Sequence, residues 1–211
     1  MLISAGEVIG TLQKYQIKVS GALHIGAHEC EELGFYRQLG LAPEDVIWID
    51  AIGSKVHEAK MKGIPNIYQA VITDSDDQTV DFHVTNNVQS SSILEFGTHA
   101  VHHPHVKFVG KLSDKSVTVD TFFQRNNLDM SKCEFWNFDI QGAEMLALKG
   151  AQKALTFAKA LYLEVNTEEV YKNGALLSEL DTFLEERGFT RVLINMTPYG
   201  WGDALFVRKA T

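Results

Sequence analysis

Cysteine is scarce: Cys30 and Cys133 are the only two in 211 residues, too few for a disulfide framework and without metal-ligand spacing. That suits a reducing compartment, and a cytoplasmic protein is expected. Runs of lysine or arginine are absent and the net charge is −8, so a phosphate backbone is repelled and nucleic acid is excluded as a partner. No apolar run approaches transmembrane length, and Met-Leu-Ile-Ser-Ala-Gly-Glu at the start has neither a basic n-region nor an apolar h-region. No membrane span is expected. The dinucleotide pattern G-x-G-x-x-G is incomplete, since Gly26-Ala-His-Glu-Cys30 carries a single glycine. A close backbone approach to a pyrophosphate is thereby disfavoured, which points away from NAD and towards S-adenosylmethionine (SAM).

What is present describes an ordinary globular chain, with 45% hydrophobic and 22% charged residues, long enough for one α/β domain over 1–211. Ser4 reads as the N-cap of a helix within 1–18. Ala22 to Ile25 is a short apolar strand running into Gly26 and Ala27, with helical spacing at Leu33, Tyr36 and Leu39 beyond. A strand, a small-residue turn and a helix start leave free N–H groups at the carboxyl end of the strand. His24, Gly26, Ala27 and His28 are therefore expected to hold the methionine portion of the cofactor. Val46 to Asp50 follows as an apolar run ending in a carboxylate about 20 residues beyond the turn, where an acid accepts hydrogen bonds from ribose hydroxyls. Asp50 is the expected ribose ligand, and Ala51, Ile52, Ala70 and Val71 the adenine edge.

Asn66 to Ile72 reads as the third strand and Thr79 to Thr85 alternates like a half-buried antiparallel one. From 86 to 115 the periodicity stops, and a long loop over cofactor and substrate is expected. Ser91 and Ser92 would close over the donor from this loop. His102 and His103 would face the acceptor. Four histidines between His99 and His105 invite a metal reading, but Pro104 breaks any regular face and no cysteine completes a site; no metal is assigned. Phe135 to Asp139 is a buried strand before a Gly142 turn, and Ala160 to Asn166 another, ending in Glu164 and Asn166. Ala175 to Arg187 is an amphipathic helix closed by Gly188. Phe189–Asn195 and Asp203–Arg208 follow without a helix between them and must pair antiparallel. The order implies a mostly parallel α/β sheet with helices on both faces and a C-terminal antiparallel hairpin, as in the class I methyltransferase Rossmann-like fold.

The residues Ile25-Gly-Ala-His28, the strand ending at Asp50, Ser90-Ser-Ser-Ile93, Val117-Thr-Val-Asp120, Phe138-Asp-Ile-Gln-Gly-Ala-Glu144 with Leu148-Lys-Gly-Ala151, and Leu163-Glu-Val165 together resemble the FkbM-type SAM-dependent methyltransferases. The Asp-x-x-Gly-x-Glu block followed by Gly-Ala is the most specific part. The chain departs from the family pattern at His24, Cys30, Asp50-Ala51, Asn137 and Gln141. The resemblance implies a SAM-dependent O-methyltransferase acting on a hydroxyl of a sugar, a glycan or a small hydroxylated metabolite, with S-adenosylhomocysteine as product. Methyl transfer needs positioning and a general base. Asp139 is the expected base, with Glu164 as the second catalytic candidate and Asn166 orienting the acceptor. Asp139 alternatively holds the methionine amine or caps the next helix. The oxygen set Asp139, Glu164 and Asn166 would also suit a chelated acceptor through Mg²⁺, although no metal ligand is assigned. Two other readings stay open: a SAM-binding module without catalysis, and an NAD-dependent oxidoreductase.

Overall fold

With the exception of 66–72, each apolar run expected as a strand is one in the computed structural model, which describes residues 1–209. The chain runs α1 (Ala5–Lys14), β1 (Ala22–Ile25), α2 (Leu33–Gln38), β2 (Val46–Asp50), α3 (Gly53–Met61), β3 (Ile67–Gln69), β4 (Val71–Ile72) and β5 (Thr79–Thr85). It continues through α4 (His99–His102), β6 (Phe108–Val117), α5 (Val119–Arg125), β7 (Phe135–Phe138), α6 (Glu144–Lys149), β8 (Ala160–Asn166), α7 (Leu177–Glu185), β9 (Phe189–Met196) and β10 (Trp201–Arg208). Seven strands form one sheet in the order β3-β2-β1-β7-β8-β10-β9. All neighbours from β3 to β8 are parallel, and β10 is antiparallel to both β8 and β9. This is the class I methyltransferase sheet.

The strands β1, β2, β7 and β8 are buried throughout, as parallel strands covered on both faces must be. Alternate residues serve opposite faces. Leu23, Ile25, Ile49, Phe138 and Leu163 pack with Phe122, Leu148 and Leu180 of α5, α6 and α7. Ala22, Val46, Trp48, Phe135 and Tyr162 pack with Leu12, Tyr36 and Val56 of α1, α2 and α3 on the other. Fully buried Phe135, Phe138 and Phe206 each contribute about 1.5–3 kcal/mol relative to exposure. Ser4 caps α1 as expected, within a capping box completed by Glu7. The N-terminal strap ahead of it is tied down: Leu2 N–H donates to Asp203 and Ile3 N–H to the Tyr162 hydroxyl, which itself donates to Asp203. Both cysteines are buried and unpaired, and burial pushes each thiol up to about 12.

Two expectations fail. The third strand divides, because after β3 the chain leaves the main sheet and β4 pairs with β6 instead. The segment 86–115 is no continuous loop: it holds α4 and most of β6, which pairs with β5 from Thr79↔Lys115 to Thr85↔Phe108. The first eight residues of β6 are exposed, so neither face carries the apolar alternation by which a strand is read.

Candidate active site

Register decides what meets at the carboxyl edge of the sheet. Ile25 pairs with both Ile49 and Phe138, so Gly26 follows at the height of Asp50 and Asp139. Phe138 pairs with Leu163, which sets Asp139 level with Glu164, and the antiparallel strand puts Asp203 opposite Glu164. Chain order reverses between β1 and β7, the point at which open α/β sheets bind ligands beyond their strand ends. A cleft of about 540 Å³ opens there. Its walls include His24, Gly26, His28, Asp50, Ala51, Ile52, Ala70, Val71, Ser91, His103, Asp139 and Glu164, all expected site residues.

Four expected site residues do not line it. Ala27 is wholly buried in the core beside α2, since the chain turns inward after Gly26. Ser92 is buried, its hydroxyl donating 2.8 Å to the Gln141 carbonyl, so it supports the wall from behind. Asn166 lies buried opposite Trp201, two residues past the row of carboxyls, with its Oδ1 unpartnered. His102 turns away to Glu168, 2.8 Å from Nε2 to Oε1. Its neighbours differ. His103 lines the cleft, and His99 stacks on Phe96 with ring centroids 4.1 Å apart, its pKa lowered to about 4 by burial first and then by the surrounding histidines. Among the described residues, no group of three or more His, Cys, Asp or Glu converges on a metal position.

The first turn is built tightly. Gly26 has φ 91°, and a Cβ placed on it would fall 1.9 Å from the Asp139 carbonyl oxygen. The glycine therefore makes room first for the backbone at the end of β7. Asp50 holds the turn: Oδ2 accepts from the His28 N–H at 2.7 Å and Oδ1 from the Ile52 N–H at 2.8 Å. Each oxygen retains a lone pair for a further donor. Burial raises the Asp50 carboxyl above its ordinary range, against these two amides. His24, only 2% exposed, stacks on Trp48 and bonds through Nδ1 to the Tyr36 hydroxyl at 2.9 Å; burial holds its pKa down to about 4, so the ring is neutral.

The second turn joins the carboxyls. Gln141, in the left-handed region at φ 56°, donates from Nε2 to Asp139 Oδ1 at 2.6 Å and to Glu164 Oε2 at 2.5 Å. Its Oε1 accepts from the hydroxyl of Tyr171. Glu144 turns back to accept the Ile140 N–H at 2.9 Å, closing the turn. Burial first, then the Asp139 charge, pushes Glu144 up to about 8. Glu164 is raised well above the carboxylate range by burial, then by Asp139 and Glu144. Glu31 and Glu32 add to the acidity of the cleft, and its lysine, Lys55, is engaged by Glu29 at 3.0 Å and Glu58 at 3.3 Å.

Sequence reasoning missed Asp203, Tyr162, Tyr171 and the joining role of Gln141. Asp203 had a signal, an acid heading the buried run Ala-Leu-Phe-Val of β10. Tyr171, from the segment after β8, had none.

The methyltransferase FkbM domain family matches residues 24–191. Among solved structures, the chain is similar to the magnesium protoporphyrin IX methyltransferase of Synechocystis PCC 6803 with bound SAM, at 12% identity, with 97% of this chain and 78% of that chain covered and a TM-score of 0.47. It is also similar to a SAM-dependent methyltransferase from Aquifex aeolicus, at 14% identity, with 98% and 90% covered and a TM-score of 0.47. No curated protein matches. Among the described residues, no helix is long and apolar enough to cross a membrane.

Proposed function

Since the chain belongs to the FkbM methyltransferase family, we propose that it is a SAM-dependent O-methyltransferase whose acceptor is a neutral hydroxyl compound, a sugar, glycan or small hydroxylated metabolite. The observation carrying this reading is the row Asp50, Gly26, Asp139 and Glu164 across the carboxyl edge at the point where strand order reverses. SAM supplies a methyl group on a sulfonium, and the protein supplies position and a base. Asp50 suits a ribose diol, because both of its oxygens are aimed by backbone amides and keep a lone pair free. Ala51, Ile52, Ala70 and Val71 line the cleft with apolar side chains, which suits an adenine ring.

A hydroxyl must lose its proton as its oxygen attacks, and in this reading Asp139 takes it, with Glu164 as the second candidate. Positioning the oxygen in line supplies most of the remaining acceleration. His103, which lines the cleft, is the histidine this reading assigns to the acceptor. Charge narrows the acceptor class. Carboxyls of Glu31, Glu32, Asp50, Asp139, Glu164 and Asp203 line the cleft, and Lys55 is already engaged. A sulfonium is attracted to such a field, and a phosphorylated or carboxylated acceptor is repelled. Two buried, unpaired thiols accord with a reducing, cytoplasmic setting.

Calorimetric titration with S-adenosylhomocysteine, and in parallel with NAD, tests the cofactor. Binding of the first alone is expected. Asp50→Ala removes a charged acceptor from two hydroxyls, about 1.5–3 kcal/mol each, and weakens binding by at least about a hundredfold. Absence of S-adenosylhomocysteine binding to the wild type overturns the reading. Methyl transfer to neutral sugars, but not to their phosphates, tests the acceptor class.

A further inference from the structure

Asp203 is held by one of its oxygens only. It is 7% exposed, third in β10, and its Oδ2 accepts from both the Leu2 N–H and the Tyr162 hydroxyl. Among the described residues no group donates to Oδ1, yet that atom is not sealed in the interior. Asp203 lines the cleft, as do Leu2 and Tyr162, which fix it. A carboxylate oxygen so placed requires a donor, and the cleft is where one can reach it.

Register sets what stands beside that oxygen. Asp203 is directly opposite Glu164 in the antiparallel pair of β10 and β8, and residues so paired project from one face of the sheet with Cβ atoms about 4.5–5.5 Å apart. Trp201, two residues before Asp203, belongs to the same face, is half-buried and lines the same cleft. Two hydroxyls on adjacent carbons of one ring can meet two neighbouring carboxyl side chains together, each at a hydrogen-bond length of about 2.5–3.0 Å. A lone hydroxyl meets only one of them.

We propose that Asp203 is a specificity-determining residue for the acceptor: its Oδ1 accepts a hydrogen bond from a hydroxyl next to the one that is methylated, so the acceptor is a ring bearing hydroxyls on adjacent carbons. Trp201 gives such a ring an apolar surface beside the carboxylate. The N-terminal strap enters the site by this route, because Leu2 and Tyr162 decide which oxygen of Asp203 is left for the ligand. The inference rests on the reading of the chain as an O-methyltransferase with a hydroxyl acceptor, and its test is independent of turnover.

The experiment titrates the full chain, with and without S-adenosylhomocysteine, with cyclohexanol and with the cyclohexanediol whose hydroxyls sit on adjacent carbons, and follows binding by saturation-transfer NMR. Wild type binds the diol at least about tenfold more tightly, as one hydrogen bond to a charged group gives. In Asp203→Asn the amide oxygen still accepts from Leu2 and Tyr162, and an uncharged N–H group takes the place of Oδ1. The preference for the diol then falls by about fivefold. A residue with a merely structural part would weaken both compounds alike and leave their ratio in place, as Trp201→Ala is expected to do; a ratio that falls in Trp201→Ala but not in Asp203→Asn assigns the discrimination to the indole and overturns the proposal. A wild type that binds neither compound or shows a smaller preference overturns it too, and so does an unchanged ratio in Asp203→Asn. Should that variant not fold, Tyr162→Phe releases one of the two bonds on Oδ2 and lowers the preference, and an unchanged ratio there overturns the proposal. Calorimetry with S-adenosylhomocysteine on the same samples separates the two readings. A preference that depends on Asp203 without cofactor binding keeps the subsite and removes the methyltransferase assignment, and cofactor binding without the preference does the reverse.

Discussion

Gly26→Ala puts the architecture of the first turn to a quantitative test. The position has φ 91°, a conformation an L-residue holds at a cost of about 1–3 kcal/mol. The new methyl group would also lie 1.9 Å from the Asp139 carbonyl oxygen, and backbone, not a yielding side chain, must move. Overpacking of this kind costs about 1–3 kcal/mol more. The loss is therefore about 2–6 kcal/mol, a large share of the 5–15 kcal/mol typical of a folded domain. Urea denaturation measures it: with a slope of about 2 kcal/mol/M, the midpoint falls by about 1–3 M with the slope unchanged. Gly10→Ala is the control, because nothing lies within 4 Å of a Cβ at that position in α1. It gains about 0.5–1 kcal/mol from helix propensity. A loss below about 1 kcal/mol at Gly26 would refute the claim that the turn and the end of β7 are in backbone contact.

Glu144→Gln changes the pH dependence of stability. A carboxyl whose folded pKa is raised to about 8 binds more protons folded than unfolded between its ordinary value of 4.5 and about 8, so its contribution to stability is lost as pH rises through that window. Glutamine keeps the acceptor for the Ile140 N–H and cannot ionise; urea titrations at several pH values should show its advantage over wild type growing from pH 5 to about 8. An advantage that is constant with pH would contradict the burial of this charge. Tyr162→Phe removes the hydroxyl shared by Ile3 N–H and Asp203, costing about 1–3 kcal/mol in urea denaturation and speeding hydrogen exchange at the Ile3 amide. Unchanged exchange would mean that this hydroxyl does not anchor the strap.

The inner strands were legible because a strand buried on both faces is a continuous apolar run, and 46–49 and 160–163 are such runs. Gly26 and Asp50 were legible because they stand where such runs end. β6 was not, since a strand solvated on both sides has no apolar period. Nor was the partnership of Asp203 with Glu164, which depends on antiparallel register across residues far apart in sequence. His102 and His103 show the limit of composition: the first, ending α4, bonds to Glu168 and the next, where the chain leaves the helix, lines the cleft. Asn166 failed for a related reason, since its strand continues past the row that forms the site.

The place of β10 has a consequence for synthesis. It is the last of the sheet's strands to be made, yet it occupies an inner position between β8 and β9. While the chain grows, β8 presents a mostly apolar edge with unpaired backbone groups, and β9 has no neighbour in the sheet. A polypeptide arrested after β9 would expose an adhesive edge of the kind that templates aggregation. Sheet closure thus waits on translation reaching Arg208.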